Sequence, residues 1–149
     1  MAATPSWPII EQVYSKANVF ALQCLLNFKN KNNNLALDGV FGSKTHSAVV
    51  AYQGGNGLLT DGRAGPKTLS KLIDGVLIKD RTTNSAARAA QHLLSKFEKI
   101  DIDGDFGPKS AESTKAFQKK MKILVDGVIG PVSWQYLFGY DSYPADAIK

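Results

Sequence analysis

Two glycine-anchored turns recur in this chain at one fixed separation, and then the pair itself recurs. Asp38-Gly39-Val40-Phe41-Gly42 is followed by Asp61-Gly62-Arg63-Ala64-Gly65-Pro66, and Asp103-Gly104-Asp105-Phe106-Gly107 by Asp126-Gly127-Val128-Ile129-Gly130-Pro131; in each pair the aspartates lie 23 residues apart. Internal self-similarity constrains a fold more tightly than length does. From Asp38 to Ile73 the second copy aligns without gaps at an offset of 65, while Leu22-Gln23-Cys24-Leu25-Leu26 matches Ala90-Gln91-His92-Leu93-Leu94 at an offset of 68. The three-residue difference falls at Lys31-Asn32-Asn33-Asn34, where a surface connection changes length at little entropic cost. Each copy spans roughly 55 residues, a size that folds alone only marginally and gains by packing on its twin.

The turn residues explain where helices begin. Asp bonds its own backbone two residues on, Gly accepts positive φ, and Pro66, Pro108 and Pro131 stand at first helical positions, where a missing N–H costs nothing. Between the turns, apolar residues follow a helical period: Val19, Leu22, Leu26 and Phe28, then Thr45, Ala48, Val49 and Tyr52, then Leu69, Leu72 and Ile73. The second copy repeats this with Ala87, Ala90, Leu94 and Phe97, then Ser110, Ser113, Thr114 and Phe117, then Trp134, Leu137 and Phe138. Phe41 and Phe106 read as plugs turned into their own cores, and Leu58-Leu59 and Ile123-Leu124-Val125 as short extended runs or strand fragments. Asn84 or Ser85 caps the helix that opens the second copy.

The expected fold is all-α: two tandem three-helix-bundle repeats with Asp-Gly turn loops. Residues 1–17 form an N-terminal lead-in, 18–75 repeat 1, 76–84 a linker, 85–140 repeat 2 and 141–149 a C-terminal tail. Val76, Leu77 and Ile78 make the linker apolar, which favours a fixed pair of repeats over beads on a string.

With 18 basic and 13 acidic side chains the chain carries +5, which favours an anionic partner such as nucleic acid, a membrane surface or an acidic wall polymer. No Lys/Arg run exceeds two residues, so a nucleic-acid arm is not expected, and no stretch has the length of a membrane span. The one cysteine, Cys24, excludes an intrachain disulfide and reads as a buried small hydrophobe. Met1-Ala2-Ala3-Thr4-Pro5-Ser6-Trp7-Pro8 has neither the basic start nor the apolar run of a signal peptide; it fits the start of a mature secreted chain or a cytoplasmic one.

The order Leu-Gln-x-Leu-Leu, Asp-Gly-x-Phe-Gly, aromatic-Gln, Asp-Gly-x-x-Gly-Pro and a closing Leu resembles the peptidoglycan-binding domain that accompanies bacterial wall hydrolases. Leu22 to Leu26, Asp38 to Gly42, Tyr52-Gln53, Asp61 to Pro66 and Leu72 carry it in repeat 1, and Gln91 to Leu94, Asp103 to Gly107, Phe117-Gln118, Asp126 to Pro131 and Leu137 in repeat 2. The resemblance runs from about Trp7 to Phe138 and implies a compact three-helix bundle whose role is to hold a protein on the wall. Two departures stand out: Gly54-Gly55-Asn56-Gly57 follows Tyr52-Gln53 where the family continues a helix, and Leu69 occupies the place of Trp134, so the two faces need not be equivalent.

Catalysis finds little support in these residues. His46 and His92 lie in different copies and outside any zinc-ligand pattern. No carboxylate pair beyond the turn aspartates recurs between copies. Cys24 with either histidine makes an improbable nucleophile pair in an apolar helix. Asp101, Asp103, Asp105 and Glu112 have a calcium-loop spacing, but Phe106 stands where that loop needs glycine. No metal and no cofactor are therefore expected.

A binding module without chemistry needs aromatic faces and polar groups in a shallow groove. The candidate ligand-binding residues are Lys44, Tyr52, Gln53, Arg63 and Lys67 in repeat 1, and Lys109, Gln118, Trp134, Gln135 and Tyr136 in repeat 2. Gln53 and Gln118 suit a structural amide as well as a ligand contact, and Trp134 suits the core as well as a sugar platform. The reading is a non-catalytic, extracellular or wall-associated protein that binds peptidoglycan or a related glycan through two tandem modules, without nucleic acid or membrane as partner. The alternatives are a small wall hydrolase or its targeting fragment, and a lectin or interaction protein on the same scaffold.

Overall fold

The computed structural model describes residues 7–10 and 16–140, so Glu11, most of the lead-in and the tail from 141 lie outside the described residues. The architecture is all-α. Repeat 1 contains α1 (Lys16–Lys29), α2 (Ser43–Gly55) and α3 (Pro66–Ile73), and repeat 2 contains α4 (Ser85–Leu94), α5 (Pro108–Met121) and α6 (Pro131–Phe138). A 3-10 turn, Lys31–Asn33, takes up the three-residue difference between the copies. Asn84 is the residue that caps α4, its Oδ1 accepting from Ala87 N–H at 2.8 Å. At the heads of α3, α5 and α6, a glycine in extended conformation precedes proline.

The expected strand fragments do not form at Leu58-Leu59 or Ile123-Leu124-Val125, where Leu59 and Leu124 are exposed instead. Strand pairing comes from β1 (Thr82–Thr83) against β2 (Asp105–Phe106), antiparallel, with Thr82 opposite Phe106. Two isolated bridges add to it: Ile10 pairs with Ala64 and Ile78 with Ile129. Ala64 and Ile129 are equivalent positions, so the segment ending at Ile10 and the segment around Ile78 do the same job for successive repeats. Each lays one extended residue against the second Asp-Gly turn of its bundle.

One device builds all four Asp-Gly turns. Gln23, Gln53, Gln91 and Gln118 are buried, and each Nε2 donates to the turn aspartate Oδ1, to the carbonyl two residues beyond that aspartate, and to a Thr or Ser hydroxyl in the next helix, at 2.9–3.1 Å. The partner hydroxyls are Thr45, Thr68, Ser110 and Ser133. Each Oε1 accepts from the turn glycine N–H, at Gly39, Gly62, Gly104 and Gly127. These glycines have φ of 71° to 79°, the left-handed region that a side chain would strain. The repeat in the sequence is therefore fourfold as well as twofold: helix glutamine, Asp-Gly turn, helix-start hydroxyl.

The core is continuous across both copies. α1 and α4 form the most extensive helix contact. Ala86, Ala87, Ala89 and Ala90 of α4 are fully buried, as are Ala21, Leu22, Leu25 and Leu26 of α1, and the small α4 side chains suit a close approach of the two helices. Phe41 and Phe106 are buried as plugs, whereas Phe28 at the end of its stripe is exposed. Asn18 Nδ2 reaches Phe138 O at 3.2 Å, Lys96 Nζ reaches Asn18 Oδ1 at 2.7 Å, and the Phe20 and His92 rings stack at 4.3 Å. Trp134 Nε1 donates to Val76 O at 2.8 Å, which ties the segment between the repeats to α6. α2 runs through Gly54 and Gly55 rather than stopping before them.

Candidate binding grooves

Repeat 1 carries a continuous groove along α2 and α3. Its central stretch, about 420 Å³, is lined by Tyr52, Asn30, Asn33, Asn56, Lys29, Lys71 and Asp74, among others. Ala48, Ala51 and Asn33 lead from it into a stretch holding Lys44 and Ser47, while Lys71 and Asp74 lead into one holding Lys67 and Ser70. Four lysines thus face one aspartate along the whole. Tyr52 is half-buried; burial, with the Asp74 charge adding, raises its phenol pKa. The asparagines are anchored by one amide atom each: Asn33 Nδ2 donates to Leu26 O, Asn56 Nδ2 to Tyr52 O, and Asn30 Oδ1 accepts from Asn32 N–H. Among the described residues, the second amide atom of each makes no side-chain hydrogen bond.

Repeat 2 fills the corresponding space with its own side chains. Tyr52, Asn56, Lys71 and Lys29 correspond to Phe117, Met121, Tyr136 and Phe97. Phe117, Met121 and Tyr136 are buried, and Phe97 packs edge-on against Phe117 at 5.4 Å and Tyr140 at 6.4 Å. The larger groove of repeat 2, about 790 Å³, lies instead beside the first Asp-Gly turn and is lined by Glu98, Lys99, Asp101, Asp103, Asp105, Lys109 and Glu112, with Ile100, Ser113 and Ala116. Its charge is opposite to that of the repeat 1 groove.

The candidate residues read from the sequence divide accordingly. Lys44, Tyr52 and Lys67 come together on the repeat 1 face, and Lys109 lines the repeat 2 groove. Arg63 is exposed on its turn, outside both grooves. Gln53 and Gln118, 0% and 1% exposed, spend both amide atoms on their turns, so they stand out of a ligand's reach. Trp134 is fully buried with its N–H on Val76 O, and Tyr136 is buried beside it in α6; neither is a sugar platform. Gln135 is half-buried in the same helix. Lys29, Asn30, Asn33, Asn56 and Lys71 were not foreseen. The Asn-rich loop that reads as a length-tolerant connection supplies part of this wall.

Burial and hydrogen bonding shift several titratable groups. Burial pushes the Cys24 thiol up to about 12, so it stays protonated. Burial, with Arg88 adding, draws His92 down to about 4. Asp38, Asp61 and Asp103 are held below the usual carboxylate range by backbone N–H donors two residues on and by the glutamine amides. Among the described residues no three His, Cys, Asp or Glu side chains converge to hold a metal ion, and no helix is long and apolar enough to cross a membrane.

The two glutamine-braced bundles, each with a groove on its face, are copies of one helical module, and comparison with known families agrees. The family described as "Putative peptidoglycan binding domain" matches residues 15–72 and 83–137; the chain belongs to this family and contains two copies of its domain. An uncharacterized protein from the bpoA1 3' region of Kitasatospora aureofaciens is 42% identical over 37 residues, which cover 25% of this chain and 31% of that protein. No solved structure matches.

Proposed function

We propose that this chain binds peptidoglycan or a closely related wall glycan without cleaving it, through the groove of repeat 1. One observation carries the reading: Tyr52 stands open among asparagines and lysines, whereas its counterpart Phe117 is packed under Phe97 and Tyr140. An aromatic face suits a sugar ring, amides suit the N-acetyl and peptide groups, and lysines suit the carboxylates of muramic acid and stem peptides. The inequality of the two faces argues against avidity from twin sites.

The direct test is co-sedimentation with insoluble peptidoglycan. The wild-type chain should pellet, Tyr52→Ala and Lys71→Glu should each shift at least half of it to the supernatant, and a wall suspension should keep its turbidity throughout. A wild-type chain left in the supernatant removes the reading, and clearing of the suspension replaces it with hydrolysis.

A further inference from the structure

The repeat 1 groove is longer than one sugar ring, and its charges are strung out along it. Lys44, Ser47, Ala48, Ala51 and Tyr52 line it and recur on α2 at three- and four-residue spacing, so they share one face of that helix. At ~1.5 Å per residue, the run from Lys44 to Asn56 measures about 18 Å. Ala48 and Ala51, common to two of its stretches, are too small to close it. Lys67 and Lys71 stand one helical turn apart on α3, and Lys29 ends α1. All four lysines are exposed, and Asp74 is the one carboxylate among the described lining residues. Repeat 2 keeps only one of these cations: Lys109 matches Lys44, whereas Phe97, Val132 and Tyr136 replace Lys29, Lys67 and Lys71, and Glu112 replaces Ser47.

A compact anion needs cations that converge, and these are spread over the whole length of the groove. Spaced cations match an extended ligand with one anion in each of its units, and lysine meets a phosphate as a point charge. Tyr52 is the one aromatic residue and no arginine is present among the described lining residues, so base stacking and base-edge reading lack support. We propose that the repeat 1 groove takes a phosphodiester-linked chain of sugar or polyol units, laid along α2 with one unit against Tyr52 and its phosphates at successive lysines. This names the kind of wall glycan the site prefers, and it rests on the wall-binding reading. The repeat 2 groove, with five carboxylates against two lysines, repels the same chain, so charge assigns the polymer to one repeat.

The test co-sediments the full chain with two preparations of one phosphate-rich Gram-positive wall, untreated and stripped of phosphodiester polymer by hydrofluoric acid. The stripped wall should still pellet the chain, and the untreated wall should hold it about fivefold more tightly or better. Raising NaCl from about 50 to about 200 mM should weaken binding to untreated wall by about tenfold. Lys44→Gln with Lys67→Gln should abolish the advantage of untreated wall and leave Tm within about 2 °C of wild type, since both side chains are exposed; Lys109→Gln should leave that advantage in place. Soluble oligo(glycerol phosphate) should displace the chain from untreated wall, and a thymidine oligonucleotide with as many phosphates should do so about tenfold less well. Equal affinity for the two walls overturns the proposal while wall binding stands, and a chain left in the supernatant by both removes the two readings together. An advantage that survives the double lysine substitution overturns the assignment to this groove, and an oligonucleotide as effective as the glycerol phosphate replaces the wall chain with nucleic acid.

Discussion

Replacing Gln118 with leucine tests the brace that recurs at every Asp-Gly turn. The leucine fills nearly the same volume but removes five hydrogen bonds: Nε2 to Asp126 Oδ1, Val128 O and Ser133 Oγ, and Oε1 from Asp126 N and Gly127 N. Gly127 and Ser133 are buried, so their N–H and hydroxyl lose their partner without gaining water. Each orphaned buried group costs about 1–3 kcal/mol, whereas the exposed Asp126 carboxylate re-solvates cheaply. The sum is about 3 kcal/mol, a large share of the ~5–15 kcal/mol that holds a domain folded. For a chain of this length that corresponds to a fall of roughly 6–12 °C in Tm. Ser133→Ala removes one contact only and should cost about 1 kcal/mol. Thermal melting and urea titration followed by far-UV circular dichroism give both numbers. A Gln118→Leu protein melting within about 2 °C of wild type would refute the structural role of the glutamine. Below its Tm that variant should still pellet with peptidoglycan, because the brace lies outside the repeat 1 groove.

Further outcomes follow from single residues. Lys122 ends α5 with φ of 60°, where the equivalent residue in repeat 1 is Gly57 at 70°; Lys122→Gly should stabilise by about 1 kcal/mol in urea titration. His92 is held neutral in the fold with its pKa drawn from 6.5 to about 4, so the unfolded chain takes up its proton first as pH falls. Stability should be complete above pH 6.5 and decline toward pH 4 by about 2 kcal/mol once solvent at the ring is allowed for, and His92→Gln should flatten that slope. The depressed turn aspartates act in the same direction at lower pH, losing their contribution as acid protonates them below their ordinary value of 3.8. Trp134→Phe strands the Val76 carbonyl and should cost about 1–3 kcal/mol by denaturant titration.

Much of the fold was legible because its signals are local. Pro after Gly marks a helix start, Asp-Gly marks a turn, and a 3.6-residue apolar period marks a buried face; each acts through the backbone of its own segment. Phe41 and Phe106 were readable as plugs because a large apolar side chain between two glycines has nowhere else to go. Gln23 and Gln91 were visible only as marker residues, since their role depends on turns 15 and 12 residues further on. A glutamine on each buried helical stripe, followed each time by Asp-Gly, was the available signal. The binding faces were least legible. Whether Trp134 is platform or core is decided by Val76, 58 residues away, and whether Tyr52 is open depends on Lys29 standing where repeat 2 has Phe97.

The packing of α1 on α4 carries a consequence for how such a protein can be cut, copied or grafted. α1 and α4, in which Leu25, Ala89, Ala90 and Leu93 are fully buried, make their most extensive helix contact with each other, and excising either repeat would bare the remaining helix's side of it. The heritable cassette is therefore the doublet, and a grafting strategy that treats the second half as spare would deliver an aggregating stump. Each half has become the other's solvent barrier, and that mutual shelter is what frees their outward grooves to diverge.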